Sequence, residues 1–248
     1  MSYRIVTFCA ADRPEAMDEM RAMLALMFAS AQRHDAGVSL TVLSDRETDL
    51  SGIEAYASIS RHQVERSDLM LARTQAQNEF VGSYDFAQPL AFLDLDIFIN
   101  RSIGGLFERP FDIALTSRRK AEMPINGGVI LANNRNPAAV RAFFSALVQT
   151  YLQRYRAQSG WWGDQRALND LVPLSNGQFD REVQLECDGV RYLVLPGSKY
   201  NFSPHALWAT VALPRSKKYI LHFKGPARKR HFKRFFDLHY QDRERPKP

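Results

Sequence analysis

Strand-like and helix-like segments alternate along this chain, and that alternation is what most limits its possible folds. Residues 4–10 and 38–43 are typical of buried strands, because both are short apolar runs with several β-branched side chains. Between them, Pro14 begins a segment with methionines at helical spacing that extends to about Arg33. Strands that alternate with helices predict an α/β fold, in which helices flank a mixed, mostly parallel sheet.

The remaining elements are predicted from apolar runs, helix caps and turn residues. Helices are expected at residues 67–78 and 137–156, and further strands at residues 90–99, 112–116, 129–132, 182–186 and 191–195. Ser67 and Asn136 are the expected N-caps, and Pro137 suits the first helical position, where an N–H would have no helical partner. Asp188-Gly189 predicts a tight hairpin, so part of the sheet should be antiparallel.

One compact domain is expected over residues 1–240, since a chain with 45% hydrophobic and 24% charged residues gives no reason for division. Residues 241–248 are rich in Arg, Lys and Pro and should fray. Cys9 and Cys187 lie far apart in apolar segments, which is typical of buried thiols in a reducing compartment. No apolar stretch is long enough for a signal peptide or a membrane span, so we expect a cytoplasmic protein.

The net charge of +6 is concentrated near the C-terminus, where a basic helix is expected from about residue 226. One short stretch holds six cations and no acid: Lys224, Arg228, Lys229, Arg230, Lys233 and Arg234. An acidic glycolipid could bind there, or the inner face of an anionic membrane through peripheral contact, and a solvated helix face is the plainer alternative. No nucleic-acid partner is expected, because the chain lacks a basic sheet face with interleaved aromatic residues.

Asp94 and Asp96 interrupt the apolar run at residues 90–99. Residues two apart in a strand point to the same side, so both carboxylates could converge on one cation at the strand end. Acids among apolar neighbours are costly unless a metal or hydrogen bonds compensate them, and hard oxygen ligands favour Mg²⁺ or Mn²⁺ over zinc. Two solvated acids at a strand end are the alternative interpretation.

Asn126, Gly127 and Gly128 precede an apolar strand and form a second candidate contact region. The glycines allow a ligand to approach the backbone closely, and the amide can bond to hydroxyl groups. A simple turn before a strand explains the two glycines equally well.

A third region begins with Trp161 and Trp162 and continues into Asp164 and Gln165 at an expected helix start. Tryptophan faces stack on sugar rings, and an acid beside them can orient hydroxyl groups. The alternative is a helix N-cap at Asp164 beside two core indoles.

The last two regions lie near the ends of the chain. His222 offers an imidazole as a metal ligand, and Lys224, Gly225 and Arg228 follow it with a composition that suits phosphate groups. A structural histidine is the alternative for His222 alone. At the exit of the first strand, the small side chain of Ala10 leaves room for a flat base, and Asp12 could accept a hydrogen bond from the imide of that base or from the ribose. The alternative interpretation is that Asp12 caps the following helix.

In this order and spacing, the motifs resemble those of the GT-A nucleotide-diphospho-sugar transferases, and among these the galactosyltransferase-type family eight. The resemblance extends over residues 4–229. Asp94 and Asp96 match the family's Asp-x-Asp, and Asn126 to Gly128 match its Asn-Ser/Gly-Gly segment. Asp164 and Gln165 match its Asp-Gln pair, and His222, Phe223 and Gly225 match its His-Phe-x-Gly-x-x-Lys segment. Two positions depart from the pattern: Arg228 replaces the final lysine, and Arg13-Pro14 stands where Asn-Tyr is usual.

The resemblance implies a GT-A fold and a metal-dependent, retaining glycosyltransferase whose donor is a nucleotide sugar, with UDP as the favoured nucleotide and a glycan or glycolipid as acceptor. It implies that Asp94, Asp96 and His222 bind Mn²⁺ or Mg²⁺. The implied contacts to the sugar of the donor are Asn126, Gly127, Gly128, Asp164 and Gln165, and those to the nucleotide and phosphates are Ala10, Asp12, Lys224, Gly225 and Arg228. The position of Arg73 on the helix before the Asp-x-Asp strand makes it a further candidate for phosphate contact.

Two other functions fit parts of the sequence. A haloacid-dehalogenase-type phosphatase would use Asp94 as a nucleophile, with Thr116, Lys120 and Gly163-Asp164 as its later motifs. Such phosphatases usually begin at their Asp-x-Asp strand, whereas several elements precede it here. A catalytically inert protein of the GT-A fold that binds a partner is the second alternative.

Overall fold

A computed structural model of the protein describes residues 2–11, 14–157, 162–204, 216–225, 231–232, 234–235 and 237. The strands within these residues are β1 (Arg4–Phe8), β2 (Ser39–Ser44), β3 (Ser58–Arg61), β4 (Leu90–Leu93), β5 (Ile97–Ile99), β6 (Ile113–Ser117), β7 (Ile125–Ala132), β8 (Val183–Cys187), β9 (Val190–Pro196) and β10 (Ile220–His222). The α-helices are α1 (Pro14–Gln32), α2 (Leu69–Ser83), α3 (Pro137–Thr150), α4 (Gly163–Leu171) and α5 (Gly197–Tyr200).

Within the described residues, eight strands form one mixed sheet in the order β3-β2-β1-β4-β7-β6-β9-β8. Four of its seven neighbouring pairs are parallel, whereas β7 is antiparallel to both of its neighbours and β8 is antiparallel to β9. β5 and β10 form a separate antiparallel pair. The predicted mixed, mostly parallel sheet is therefore confirmed.

Helices cover both faces of the sheet because each strand alternates its side chains between two apolar clusters. Ile5 of β1 belongs to the cluster that contains Met27 of α1. Its neighbour Val6 belongs to the opposite cluster, which contains Phe80 of α2 and Phe144 of α3. The methionine-bearing stripe of α1 is thus a core surface, as its helical spacing predicts.

Residues 90–99 form two strands instead of the single strand that the apolar run predicts. β4 ends at Leu93, and the chain turns at Leu95-Asp96 before β5 begins at Ile97. β5 leaves the main sheet because its partner is β10, in which His222 lies opposite Ile97. The turn brings the two aspartates to the same place as this distant histidine.

The N-cap of α2 differs from the prediction by one residue. Asp68 is the N-cap in place of Ser67, since its Oδ1 accepts from the backbone N–H of Leu71 at 3.0 Å. A carboxylate at this position also suits the positive end of the helix.

The start of β7 also differs from the prediction. Asn126, Gly127 and Gly128 lie inside the strand, not in a turn before it. Backbone pairing on both sides extends the strand: Asn126 pairs with Thr116 of β6, and Gly128 accepts from the backbone N–H of Asp94 at 3.1 Å.

Two local predictions are confirmed. Asp188 and Gly189 have positive φ angles of 51° and 75° and turn the chain from β8 into β9. Asn136 caps α3 with Pro137 in its first turn, and the helix continues as one π-helical turn to Tyr155.

The C-terminal part of the chain is described only in places. Residues 226–230 and 238–248 lie outside the described residues, so the domain limit and the basic stretch stay predictions. Phe232 and Phe235 lie in helical positions and pack against Phe98 and Phe223. Among the described residues, no helix has both the length and the apolar composition that a bilayer crossing requires.

The two cysteines differ in accessibility, and the difference predicts their reactivity. Cys9 is buried, and burial raises the pKa of its thiol to about 12. Cys187 at the end of β8 is partly exposed, and slight burial and the nearby Asp188 also raise its pKa, so accessibility is what distinguishes the two thiols. Because the thiolate is the reactive form, we predict that iodoacetamide at pH 9 modifies Cys187 alone. Mass spectrometry should find one adduct on the native protein and two after unfolding in guanidinium chloride. Rapid alkylation of Cys9 in the native protein would argue against this packing.

Candidate active site

Segments that are far apart in sequence meet at one edge of the main sheet. The carboxyl ends of β1 and β4, the beginnings of β7 and α4, and the residues after β10 surround a cavity of about 790 Å³. Ligands of open α/β sheets bind at this edge of the strands. Ten of the predicted site residues line the cavity: Ala10, Arg73, Asp94, Asp96, Asn126, Gly128, Gln165, His222, Lys224 and Gly225.

Asp94, Asp96 and His222 form a cluster of three potential metal ligands. One ligand atom from each residue lies within 4.8 Å of the others. Nε2 of His222 is 2.9 Å from Oδ1 of Asp96 and 3.5 Å from Oδ2 of Asp94. Two carboxylates and one imidazole suit a borderline-hard divalent cation such as Mn²⁺, and Mg²⁺ less closely.

The hydrogen bonds behind His222 determine how its two ring nitrogens are used. The backbone N–H of Gly128 donates to Asn126 at 3.1 Å, which identifies the accepting atom as Oδ1. The same oxygen is 2.8 Å from Asn201, so Asn201 presents its NH₂ group there and its carboxamide oxygen faces Nδ1 of His222 at 2.8 Å. Nδ1 therefore carries a proton and donates it to Asn201, and Nε2 is the ring nitrogen that faces the carboxylates and is placed to bind a cation.

This arrangement supports a cation site. With an unprotonated Nε2, the imidazole and Oδ1 of Asp96 are both acceptors at 2.9 Å, so a proton or a metal cation must lie between them. Metal-binding histidines commonly donate their other N–H to an oxygen that fixes the ring. Asn201 supplies that oxygen, and it is itself held by Thr116, whose hydroxyl accepts from Nδ2 of Asn201 at 2.8 Å.

We predict that Asn201→Leu lowers the affinity for Mn²⁺ by about 10- to 100-fold, because it removes the acceptor that fixes His222. Isothermal titration calorimetry would measure the affinity. Asn133→Leu is the matched control, since Asn133 is a fully buried amide whose Nδ2 donates to Phe107 beyond the opposite end of β7. The control should lose stability but keep its Mn²⁺ affinity. If Asn201→Leu bound Mn²⁺ within threefold of the wild type, the role given to Asn201 would be wrong.

Arg73 of α2 connects two of the predicted site acids. Its Nη1 pairs with Oδ1 of Asp94, and its Nη2 pairs with Oδ2 of Asp164. Burial opposes the charge of Arg73, but the two carboxylates outweigh burial and raise the pKa of the guanidinium above its ordinary value. Arg73 therefore stays cationic and orients both acids, in addition to any contact with phosphate.

Asp164 is a buried acid with one unused oxygen. Its side chain is 3% exposed, and burial raises the pKa of the carboxyl above its usual range despite the opposing effect of Arg73. Oδ2 pairs with Arg73, whereas the buried Oδ1 has no well-directed donor among the described residues. Such acceptors are rare in folded proteins. Asp164 does not itself line the cavity, whereas its neighbour Gln165 does, so Asp164 acts on the site through Arg73. The N-cap of α4 is Trp162, so the interpretation of Asp164 as an N-cap is wrong.

Gln165 is held beside Asp164 by two donors. Its Oε1 accepts from Nη2 of Arg118 at 2.9 Å and from Nδ2 of Asn126 at 3.4 Å. The carboxamide oxygen of Asn126 also accepts hydrogen bonds from Gly128 and Asn201. Asn126 is therefore a positioning residue that connects Gln165 to Asn201.

Two of the remaining predicted residues, Gly127 and Trp162, lie within the described part of the chain. Gly127 lies close to Asp164, where an added Cβ would be 3.1 Å from Oδ2, so any larger residue would require the Asp164 side chain to shift. Trp162 is 42% exposed on the cavity wall and is not a core indole. Asp12, Trp161 and Arg228 lie outside the described residues, and their predicted roles stay predictions.

Asn201 and Arg118 belong to the site but were not predicted from the sequence. Asn201 stands at the end of the short α5 with no recognisable motif around it. Arg118 follows β6 in a run of three cations, where only its place at a strand end could have indicated a cavity position.

No protein-family model matches this sequence, and no curated protein is similar to it. Solved structures are similar in fold. Glycosyltransferase GlyE of Streptococcus pneumoniae TIGR4 has a TM-score of 0.59 and 16% identity, and the alignment covers 95% of this chain and 60% of that one. This chain therefore spans less than two thirds of the pneumococcal protein.

Two further structures are similar over most of their own length. Galactosyltransferase LgtC, solved with donor and acceptor sugar analogues, has a TM-score of 0.59 and 16% identity over 95% of this chain and 94% of that one. A glycosyltransferase involved in glycosylation of the major capsid of PBCV-1 has a TM-score of 0.56 and 11% identity, and the alignment covers 93% of this chain and 99% of that one. These likenesses confirm the predicted GT-A fold.

Proposed function

We propose that this protein is a metal-dependent glycosyltransferase. In this proposal it transfers a sugar from a nucleoside diphosphate donor, with UDP as the favoured nucleotide, to a hydroxyl of a glycan or glycolipid. The observation that carries the proposal is the convergence of Asp94, Asp96 and Nε2 of His222 on the cavity wall. The GT-A fold and its glycosyltransferase neighbours support the same function.

The divalent cation would supply charge neutralisation for the diphosphate of the donor and for the nucleoside diphosphate that leaves. Asp94, Asp96 and His222 would hold it, with Arg73 and Asn201 fixing two of these side chains. Lys224 and Gly225 line the same cavity, so the ammonium group could contact phosphate oxygens while the glycine admits them to the backbone.

The reacting sugar would lie against the start of α4. Asp164 does not line the cavity, so it would act on the sugar site through its ion pair with Arg73. Its neighbour Gln165 lies on the cavity wall and would be close to the anomeric carbon. Retention of the anomeric configuration belongs to the proposal through the family resemblance, and Gln165 would stabilise the developing positive charge on the sugar.

A phosphatase that uses Asp94 as its nucleophile is less well supported. Oδ1 of Asp94 is paired with Arg73, and Oδ2 is on the side of His222. The hydroxyl of Thr116 is buried against Asn126 and Asn201, where it serves the histidine network. A phosphatase would leave that network and the histidine without a role.

A thermal-shift screen of nucleoside diphosphates and nucleotide sugars, with and without Mn²⁺, tests the proposal. A ligand at 100 times its dissociation constant stabilises the fold by about 2.7 kcal/mol, which for this size is about 5–10 °C in Tm. We expect such a shift with UDP and Mn²⁺ together. No shift with any nucleoside diphosphate, or hydrolysis of p-nitrophenyl phosphate that Asp94→Asn abolishes, would reject it.

The basic stretch is proposed to contact the acceptor or an anionic membrane. Binding to liposomes that contain anionic lipid should weaken steeply with salt, and it should disappear when Arg228, Lys229, Arg230 and Lys233 are neutralised. Equal binding to neutral liposomes would contradict this part of the proposal.

A further inference from the structure

We propose that one of the sugars bound at this site carries an anionic group, a carboxylate or a phosphate, which binds Arg118. This inference rests on the proposed glycosyltransferase function and adds a substrate class to it. The group could belong to the donor sugar or to the acceptor, and both would present the same chemistry to the guanidinium.

The position of Arg118 places its charge within the site. The residue follows β6 and lines the cavity. Nε donates to the carbonyl of Met123 at 3.1 Å, and Nη2 donates to Oε1 of Gln165 at 2.9 Å. These two bonds fix the plane of the guanidinium, while Nη1 makes no hydrogen bond with the residues that the structure describes.

The charge of Arg118 lacks a counterion in the described part of the chain. No carboxylate there lies within 4.0 Å of it, whereas Arg73 in the same cavity is paired with both Asp94 and Asp164. Burial lowers the pKa of Arg118, as expected for a partly desolvated cation with no acid beside it. A desolvated, unpaired charge is costly, and a bound anion would remove that cost.

The surroundings of Arg118 suit a sugar ring. Trp162, which is 42% exposed, lines the same cavity and is the single large hydrophobic side chain that is exposed among the described residues. Nζ of Lys120 lies 5.8 Å from the centre of the Trp162 ring system, which places a second cation beside this indole. An aromatic face packs against the apolar face of a sugar, and a guanidinium binds a carboxylate or phosphate through two parallel hydrogen bonds.

Contact with Gln165 limits where the anion can be. Because Nη2 donates to Oε1 of Gln165, the free edge of the guanidinium lies within about one sugar ring of that amide. In the proposed function Gln165 lies close to the anomeric carbon, so this edge of Arg118 faces the sugar at the site of transfer, and the proposed anionic substituent belongs to that sugar.

A purely structural role would be to hold Gln165 in place. In that case Arg118→Gln would weaken the binding of neutral and anionic sugars by the same factor. Recognition of an anion changes the ratio between the two, so the ratio separates these roles.

The test compares matched sugars by calorimetry on the whole 248-residue chain in the presence of Mn²⁺. The donor arm measures UDP-glucuronate against UDP-glucose, and the acceptor arm measures methyl glucuronide and glucose 6-phosphate against methyl glucoside in the presence of UDP. We expect the wild type to prefer the anionic sugar by about 10- to 100-fold in at least one arm, and Arg118→Gln to lose that preference. Arg118→Lys should keep part of it, since it retains the charge without the fork.

Arg101→Gln is the matched control, because Arg101 is also half-buried and its Nε donates to a carbonyl, that of Ser216 at 2.8 Å, outside the cavity. This variant should keep the full preference. The inference is overturned if UDP binds normally but neither arm shows a preference for the anionic sugar, or if Arg118→Gln keeps it. Failure of UDP itself to bind would reject the proposed function instead.

Discussion

Gly128→Ala should abolish the binding of divalent cations and leave the fold intact. An added Cβ at this position would lie 2.6 Å from Oδ2 of Asp94 and would collide with the imidazole of His222. Neither side chain can move away without cost, since Arg73 holds Asp94 and Asn201 holds His222. We expect at least about a 100-fold loss of Mn²⁺ affinity, because displacement of two ligands exceeds the effect of losing an outer partner.

Gly82→Ala is the control for this variant. Gly82 lies in α2, and an added Cβ there meets nothing within 4 Å. The control should keep its Mn²⁺ affinity and gain about 0.5–1 kcal/mol of stability, because alanine is the better helix former. Calorimetry and thermal unfolding would measure both quantities. A Gly128→Ala protein that still bound Mn²⁺ at the affinity of the wild type would disprove the proposed ligand arrangement.

Arg73→Leu should be the most destabilising substitution in the site. It leaves Asp94 and the buried Asp164 without their shared cation, and breaking a buried pair on one side costs about 3–5 kcal/mol. The free energy of unfolding from urea titration would show the loss. A second change, Asp164→Asn, should recover part of it, since the uncompensated buried charge is then removed.

The pH dependence of Arg73→Leu follows from the same charges. Burial already raises the pKa of Asp164 in the native protein, and loss of Arg73 removes the main opposing effect. A carboxyl whose folded pKa lies above its unfolded value makes the folded state bind more protons, so stability falls as pH rises above about 4. The variant should therefore lose more stability than the wild type between pH 5 and pH 8. A loss below about 1 kcal/mol at all pH values would mean that the pair behaves as a solvent-exposed one.

The layered fold was predictable because its signals are local. The helical spacing of methionines in α1, the Asn136-Pro137 cap and the Asp188-Gly189 turn each depend on neighbours within a few residues. The break between β4 and β5 was not predictable, because β5 separates from the main sheet only to pair with β10. Nothing within residues 90–99 indicates a partner so far along the chain.

The site was predictable in its residue types but not in its internal contacts. Asp94, Asp96 and His222 could be grouped through the order of motifs, and the fold does bring them together. Arg73 bridges Asp94, which is 21 positions away in the sequence, and Asp164, which is 91 positions away. No pattern in the sequence connects these three residues. The contacts of Asn201 and Arg118 depend in the same way on where α5 and the end of β6 pack.

Electron paramagnetic resonance of Mn²⁺ tests the central claim most directly, because the signal of the free aqueous ion disappears on binding. Wild-type protein should bind one Mn²⁺, and UDP should tighten that binding, since the diphosphate and the protein share the ion. With Asp96→Ala, the Mn²⁺ signal should equal that of a protein-free sample at the same Mn²⁺ and UDP concentrations, since UDP alone binds part of the ion. If Asp96→Ala bound Mn²⁺ as the wild type does, or if the wild type bound none with UDP present, the proposed metal site and the function built on it would both be contradicted.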